Sequence, residues 1–291
     1  MSVSTNFSTF CSNLKIGMTD ISLISTRYKR ITRQLNLDFW GIDNETKNSL
    51  YVGSYGRDTD IVTSDIDMIM ILPYSTYEKY NKYLSNGQSA LLQEVKNSIA
   101  KTYSQTKLGA DGQVVQIQFT DGIHFELVPG FTNTDDSFTF PDSNNGGSWK
   151  STNPKPEIKA IYDLDKETGN LKNLCRMVRA WKHKHGIPIG GLLIDTFCHR
   201  FLKGWEYKAK SFTYYDWMSR DFFKYLSEQN KDQSYWTAVG SGQYIWRKGK
   251  FEDSAKKAYD LSLKAIEHQS KNEETSEKSK WREIYGTKFP N

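Results

Sequence analysis

Hydrophobic positions change their period several times along this chain of 291 residues. Residues 6–40 contain no proline, and Phe7, Phe10, Leu14 and Met18 recur every three or four positions. Side chains at that interval lie along one helix face, so the spacing predicts one long N-terminal helix or a broken pair. The rhythm then shortens. Leu50-Tyr51-Val52 reads as a brief strand, and residues 53–64 read as a glycine-containing turn region. Residues 65–72 read as a strand that alternates before turning fully apolar, stopped by Pro73. Residues 77–103 predict one or two helices with a break near Ser85-Asn86-Gly87. Residues 114–119 and 124–129 flank Thr120-Asp121-Gly122, a turn signal, and predict a hairpin.

Residues 132–156 are rich in Asn, Ser, Gly and Pro and read as a long loop, whose length favours function over mere connection. Helical periodicity follows over residues 157–166, 171–185, 190–202, 216–229 and 251–269. The polar tract 271–280 reads as a solvated linker or helix end before a last segment, and no internal repeat is present. The expectation is an α/β (α+β) fold. A mixed-sheet core with the N-terminal helix as its spine spans residues 1–160, and a helical lobe spans 161–291, with a cleft between them.

Composition narrows the class. With 37% hydrophobic and 25% charged residues the chain can build a core, which excludes wholesale disorder. Aromatic residues reach 14%, which suits broad clefts and a ring-rich core equally well. Cys11, Cys175 and Cys198 stand far apart without a CxxC pair, against a disulfide framework or a structural zinc site. The opening lacks a basic start and an apolar run, and no stretch approaches the ~18 apolar residues of a membrane helix, so a cytoplasmic protein is expected. The net charge of +5 suits nucleotides but is too small to claim a long nucleic-acid partner.

The run richest in chemistry is Val52-Gly53-Ser54, ten residues, then Asp65-Ile66-Asp67. On a strand, Asp65 and Asp67 project from one face. Two carboxylates held together repel unless a cation joins them, and hard oxygen ligands suit Mg²⁺ or Mn²⁺. Glu126 shares a face with His124, opposite Phe125 and Leu127; if its strand pairs with that of Asp67, three carboxylates converge. Gly53 lets backbone approach a ligand closely, and the Ser54 hydroxyl with exposed N–H groups can hold phosphate oxygens. A phosphate cradle beside such a metal site specifies phosphoryl or nucleotidyl transfer.

Plainer readings stand beside these. The aspartates could open a polar strand, and Glu126 could be its wet face. Arg176, Arg179, Lys182 and His183 fall near one side of a helix; that is a solvated stripe, or Arg179 and Lys182 grip a triphosphate. Arg57 either touches phosphate or braces its turn. Asn153, before Pro154, reads a base edge or caps the next helix.

The segment GSYGRDTDIVTSDIDMIMILP resembles the signature of the DNA polymerase β-like nucleotidyltransferases, a hydrophobic-Gly-Ser followed after about ten residues by Asp-hydrophobic-Asp. Within that superfamily FELVPGF, SWKSTNPKP, LCRMVRAWKHKHG and the ending REIYGTKFP are similar to the bacterial cGAS/DncV-like enzymes (CD-NTases). The resemblance covers nearly the whole chain. It implies metal-dependent synthesis of cyclic di- or trinucleotide second messengers from NTPs such as ATP, in antiphage (CBASS) signalling. It further implies a monomer without template nucleic acid or membrane, with a regulatory protein as a potential partner. The chain departs from that pattern twice. The third carboxylate is Glu126 where Asp is usual, and Gly190-Gly191-Leu192 stands where a Ser and an aromatic often open a helix. The competing expectations are a linear or small-acceptor nucleotidyltransferase, and an inactive nucleotide-binding regulator.

Overall fold

The computed structural model describes residues 2–62 and 65–291. It divides into two compact units, neither continuous in sequence. One comprises Ile16–Gly56 and Thr63–Lys155; the other comprises Met1–Lys15, Arg57–Val62 and Pro156–Asn291. Among the described residues no helix is long and apolar enough to cross a membrane.

The first unit is built on a mixed sheet. Its strands are β1 (Ser49–Tyr51), β2 (Ile66–Ile71), β3 (Lys107–Asp111), β4 (Val114–Gln118), β5 (His124–Thr132), β6 (Phe138–Asp142) and β7 (Ser148–Thr152). The order is β1-β2-β5-β4-β3, with β6 joining β5 to β7. β2 and β5 run parallel and the other pairs antiparallel. The expected hairpin is β4–β5, and the expected helix break separates α4 (Tyr74–Asn81) from α5 (Gly87–Thr102) in the same unit. α2 (Met18–Leu35) and α5 cover one sheet face. Ile24, Ile31, Leu92 and Val95 pack there against Met68, Met70, Phe125 and Leu127. Period-two alternation then sends Asp67 and Glu126 to the opposite face.

The expected N-terminal helix is a broken pair, α1 (Val3–Leu14) and α2, ending at Lys15 and restarting after Gly17. The two halves belong to different units. Phe7 and Phe10 of α1 meet Trp281, Tyr285 and Phe289 ring to ring, so α1 packs with the chain's far end rather than with the sheet. A boundary at residue 160 therefore misses both α1 and residues 57–62, which side with the helical unit.

Residues 132–156 are not a structureless loop. β6 and β7 form an antiparallel ribbon with Phe138 fully buried, and the turn around Asn144–Gly146 carries much of the Asn and Gly that suggested a loop. In the helical unit the strongly periodic segments are α6 (Pro154–Thr168), α7 (Leu171–His185), α8 (Gly191–Gly204), α9 (Tyr215–Ser227) and α10 (Glu252–Ser270). The polar tract near 275 is also helical. α11 (Glu274–Tyr285) buries Trp281, Ile284 and Tyr285, and with them Glu277 and Lys278, while Glu274 and Glu283 remain exposed. A short hairpin, β8 (Tyr235–Thr237) and β9 (Tyr244–Trp246), escaped sequence reading altogether.

Candidate active site

The sequence-derived candidates fall into two sets, one in each unit. In the sheet unit, β1 pairs with β2 so that the Val52 N–H donates to the Asp67 carbonyl at 3.0 Å. The chain then turns at Gly53 with φ of +61°, and a Cβ there would collide with the Asp67 carboxylate. Glycine is required twice over, by conformation and by space. Ser54 follows in the four-residue turn α3 (Gly53–Gly56), which is thereby held against Asp67. The turn region's last residues, Thr63 and Ser64, lie outside the described residues.

Asp67 is the direct register partner of Glu126 across the parallel β2–β5 pair. Neighbouring strands lie about 4.8 Å apart, so the two side chains emerge together on one face. Asp65 stands one residue ahead of β2 and is exposed. The Glu126 carboxyl is pushed above its ordinary range by burial and then by the charge of Asp65, against a hydrogen bond from Gln116 of β4. Among the described residues no group of three or more His, Cys, Asp or Glu forms a ready-made metal cage. The carboxylate set nonetheless fits a hard divalent cation. Its donors are all oxygens, and the repulsion felt at Glu126 is what a cation relieves. Asn153 directly precedes α6, the capping position.

In the helical unit the basic residues do not form a solvated stripe. Arg176 and Arg179 are both buried. Arg176 donates to the carbonyls of Asp60 (3.1 Å) and Asp58 (2.8 Å) and pairs with the Asp58 carboxylate. Arg179 grips Asp195 of α8 as a fork, at 2.5 and 2.9 Å, and donates to the Gly191 carbonyl. Arg57 joins the same carboxylate through Nε at 2.7 Å, and Thr59 donates to it at 3.0 Å. Asp195 is 0% exposed. Burial alone would raise its pKa, but the two guanidiniums hold it down at about 2. Arg57 thus braces its segment, and Glu157 of α6 lies 3.7 Å from its far side.

Lys182, one turn after Arg179, is half-buried. Its ammonium is pushed below the usual lysine range by burial, then by the positive charges of Arg179 and Lys248. Among the described residues no carboxylate pairs with either lysine. A Cβ placed on Gly190, which opens α8 without a side-chain cap, would meet the Lys248 side chain at 3.8 Å. An uncapped helix start beside two cations favours phosphate. Sequence reasoning missed Lys248, Asp195 and Glu157. Asp195 left a signal, a lone acid inside the apolar run Leu192-Leu193-Ile194-Asp195-Thr196-Phe197, where an unpaired charge is prohibitive.

Residues 1–164 match the Second Messenger Oligonucleotide or Dinucleotide Synthetase (SMODS) domain. A search of curated proteins returns no match. Among solved structures, the chain is similar to Escherichia coli MS115-1 CdnC in its complex with HORMA-deltaN. That likeness has a TM-score of 0.75 at 14% identity, over 99% of this chain and 98% of that one. It is similar to Bradyrhizobium diazoefficiens CdnG in complex with GTP, at TM-score 0.68 and 8% identity over 98% and 95%. It is also similar to the Vibrio cholerae cyclic AMP-GMP synthase DncV, at TM-score 0.63 and 14% identity over 84% and 69%. At such identities these likenesses show the fold.

Proposed function

The chain belongs to the Second Messenger Oligonucleotide or Dinucleotide Synthetase family, and we propose that it links NTPs into a cyclic oligonucleotide by attack of a ribose hydroxyl on an α-phosphate, releasing pyrophosphate. The observation that carries this reading is the Asp67–Glu126 register with Gly53 pressed against the Asp67 carboxylate. Asp65, Asp67 and Glu126 would hold Mg²⁺ or Mn²⁺. The bound cation would activate the hydroxyl and offset charge on the departing pyrophosphate. Gly53 and Ser54 would cradle phosphate oxygens through the turn they open. Lys182, with Lys248, would neutralise polyphosphate charge as point charges. Arg57 and Arg179 serve by fixing residues 57–62 and α8 around Asp195. Asn153 would cap α6.

The mechanism is tested with purified protein, four labelled NTPs and Mg²⁺ or Mn²⁺. Asp67→Asn is close in size but has no charge with which to hold a cation. It should leave below a few per cent of product and pyrophosphate release while thermal unfolding stays near that of the parent. Substantial turnover by this variant would remove Asp67 from the metal site. A parent protein whose product is wholly degraded by phosphatase would instead be a linear transferase.

A further inference from the structure

The β8–β9 hairpin carries two faces of opposite character. Trp236 and Ile245 are register partners and point inward, with Trp236 edge-on to Phe197 at 5.4 Å between ring centroids. The outward face presents Tyr235, Tyr244 and Trp246, which are 42%, 64% and 64% exposed. Their rings contact one another, with centroids 4.8 Å apart for Tyr235–Tyr244 and 5.5 Å for Tyr235–Trp246. The core beneath is already filled by Trp236, so this trio is not a core cluster left incomplete. Large rings gathered on a water-facing surface mark a binding surface.

The hairpin is held firmly. Arg247 turns under it, over the rings of Trp236 and Phe251, donates to the Gln233 carbonyl at 2.6 Å and pairs with Glu252 at 2.8 Å. At the turn, Ser241 donates to Glu157 at 2.8 Å. Exposure keeps alternating beyond β9, so Tyr244, Trp246 and Lys248 are exposed in turn. Trp246 and Lys248 are two residues apart, about 7 Å on an extended chain. Lys248 lies beside Gly190 and near Lys182, at the start of α8. The aromatic face therefore runs into Lys248 and on toward Lys182, with neither of which a carboxylate pairs among the described residues.

We infer that the outward face of the β8–β9 hairpin is a stacking platform for the base of a nucleoside triphosphate whose phosphates lie toward Lys248 and Lys182. This rests on the nucleotidyl-transfer reading and deepens it, because Gly190-Gly191 at the opening of α8 offers no ring of its own. A nucleotide is the occupant that satisfies both halves of the surface. Its base has a π-face for Trp246 and its phosphates carry the charge the lysines lack, whereas an apolar protein patch would leave the cations unpaired. Stacking accepts any base, so the platform gives affinity before it gives base selection.

The test is equilibrium binding of each of the four NTPs, and of inorganic tripolyphosphate, to the parent and to Trp246→Ala, Trp246→Phe and Tyr244→Ala. Trp246→Ala should weaken NTP binding roughly tenfold, as loss of one stacked base does. Trp246→Phe should recover most of that loss. Tripolyphosphate affinity should stay unchanged, and so should the melting temperature, since the ring is exposed. Unchanged NTP affinity in Trp246→Ala overturns the platform and assigns the face to a protein partner or a second copy. A parallel loss of tripolyphosphate affinity overturns it too, as does a parent that binds none of the four NTPs. A parent that binds NTPs but forms no product breaks the catalytic reading alone.

Discussion

Arg179 and Lys182 sit three residues apart on α7, yet their surroundings give them different work. The Arg179 guanidinium is enclosed with Asp195, and breaking a buried pair by removing one partner costs about 3–5 kcal/mol. Arg179→Ala should therefore lower the denaturation midpoint strongly, with activity falling because the protein unfolds. Lys182→Ala removes a half-buried cation with no carboxylate partner, so its melting temperature should hold. Its KM for NTP should rise roughly tenfold, the worth of one charged hydrogen bond. Thermal melts and Michaelis curves on both variants separate the roles. Similar melts with similar KM increases would return Arg179 to the phosphate.

Among the helices, α9 shows how an element's packing sets the behaviour of one group. Asp216 in its first turn accepts a hydrogen bond from the Trp217 N–H at 2.8 Å but is buried, which pushes its carboxyl up to about 6 from 3.8. Arg220 and Asp221 of the same helix face it, as does the buried Glu277 of α11, itself raised. A carboxyl whose folded pKa is raised contributes fully below its unfolded value and loses that contribution as pH rises through about 6. Asp216→Asn has no charge to bury. It should raise the melting temperature by a few degrees at pH 7.5, on the order of 2 kcal/mol, and change it little at pH 4. Melts of both proteins across that range check the sign; equal shifts at both pH values would rule out the titration. Among the elements that escaped sequence reading, β3, β6–β7 and β8–β9 are short strands beside polar turns. Their pairing partners, not their periodicity, make them strands.

For the whole molecule, the mild net charge of +5 lacks the broad basic surface that several backbone phosphate contacts of a long polynucleotide need. Product should therefore form from NTPs alone, without template or primer. Ring closure would remove terminal phosphates, so the product should resist phosphatase. Mass analysis of the phosphatase-treated reaction checks both points, and an absolute requirement for added RNA would overturn them. Each of the two units takes residues from separated stretches of chain. Residues 57–62, between the Gly53-Ser54 turn and the Asp67 strand, are held by Arg176 and by Asp195, far along the chain.

Local chemistry was legible in the order of residues. The alternation around Asp67 and Glu126, the glycine before Ser54, and helices as strongly periodic as α7 follow from side-chain spacing, which acts over a few residues whatever the rest of the chain does. Tertiary structure decided the rest. That Asp67 lies level with Glu126 depends on strand register, and a slip of one residue would turn a carboxylate to the other face. That Arg179 is locked in a buried ion pair depends on Asp195, sixteen positions away. That α1 leaves the sheet for the chain's far end depends on Trp281 and Phe289. Register, charge pairing and ring packing are settled by partners distant in sequence, and no local pattern encodes which partner arrives.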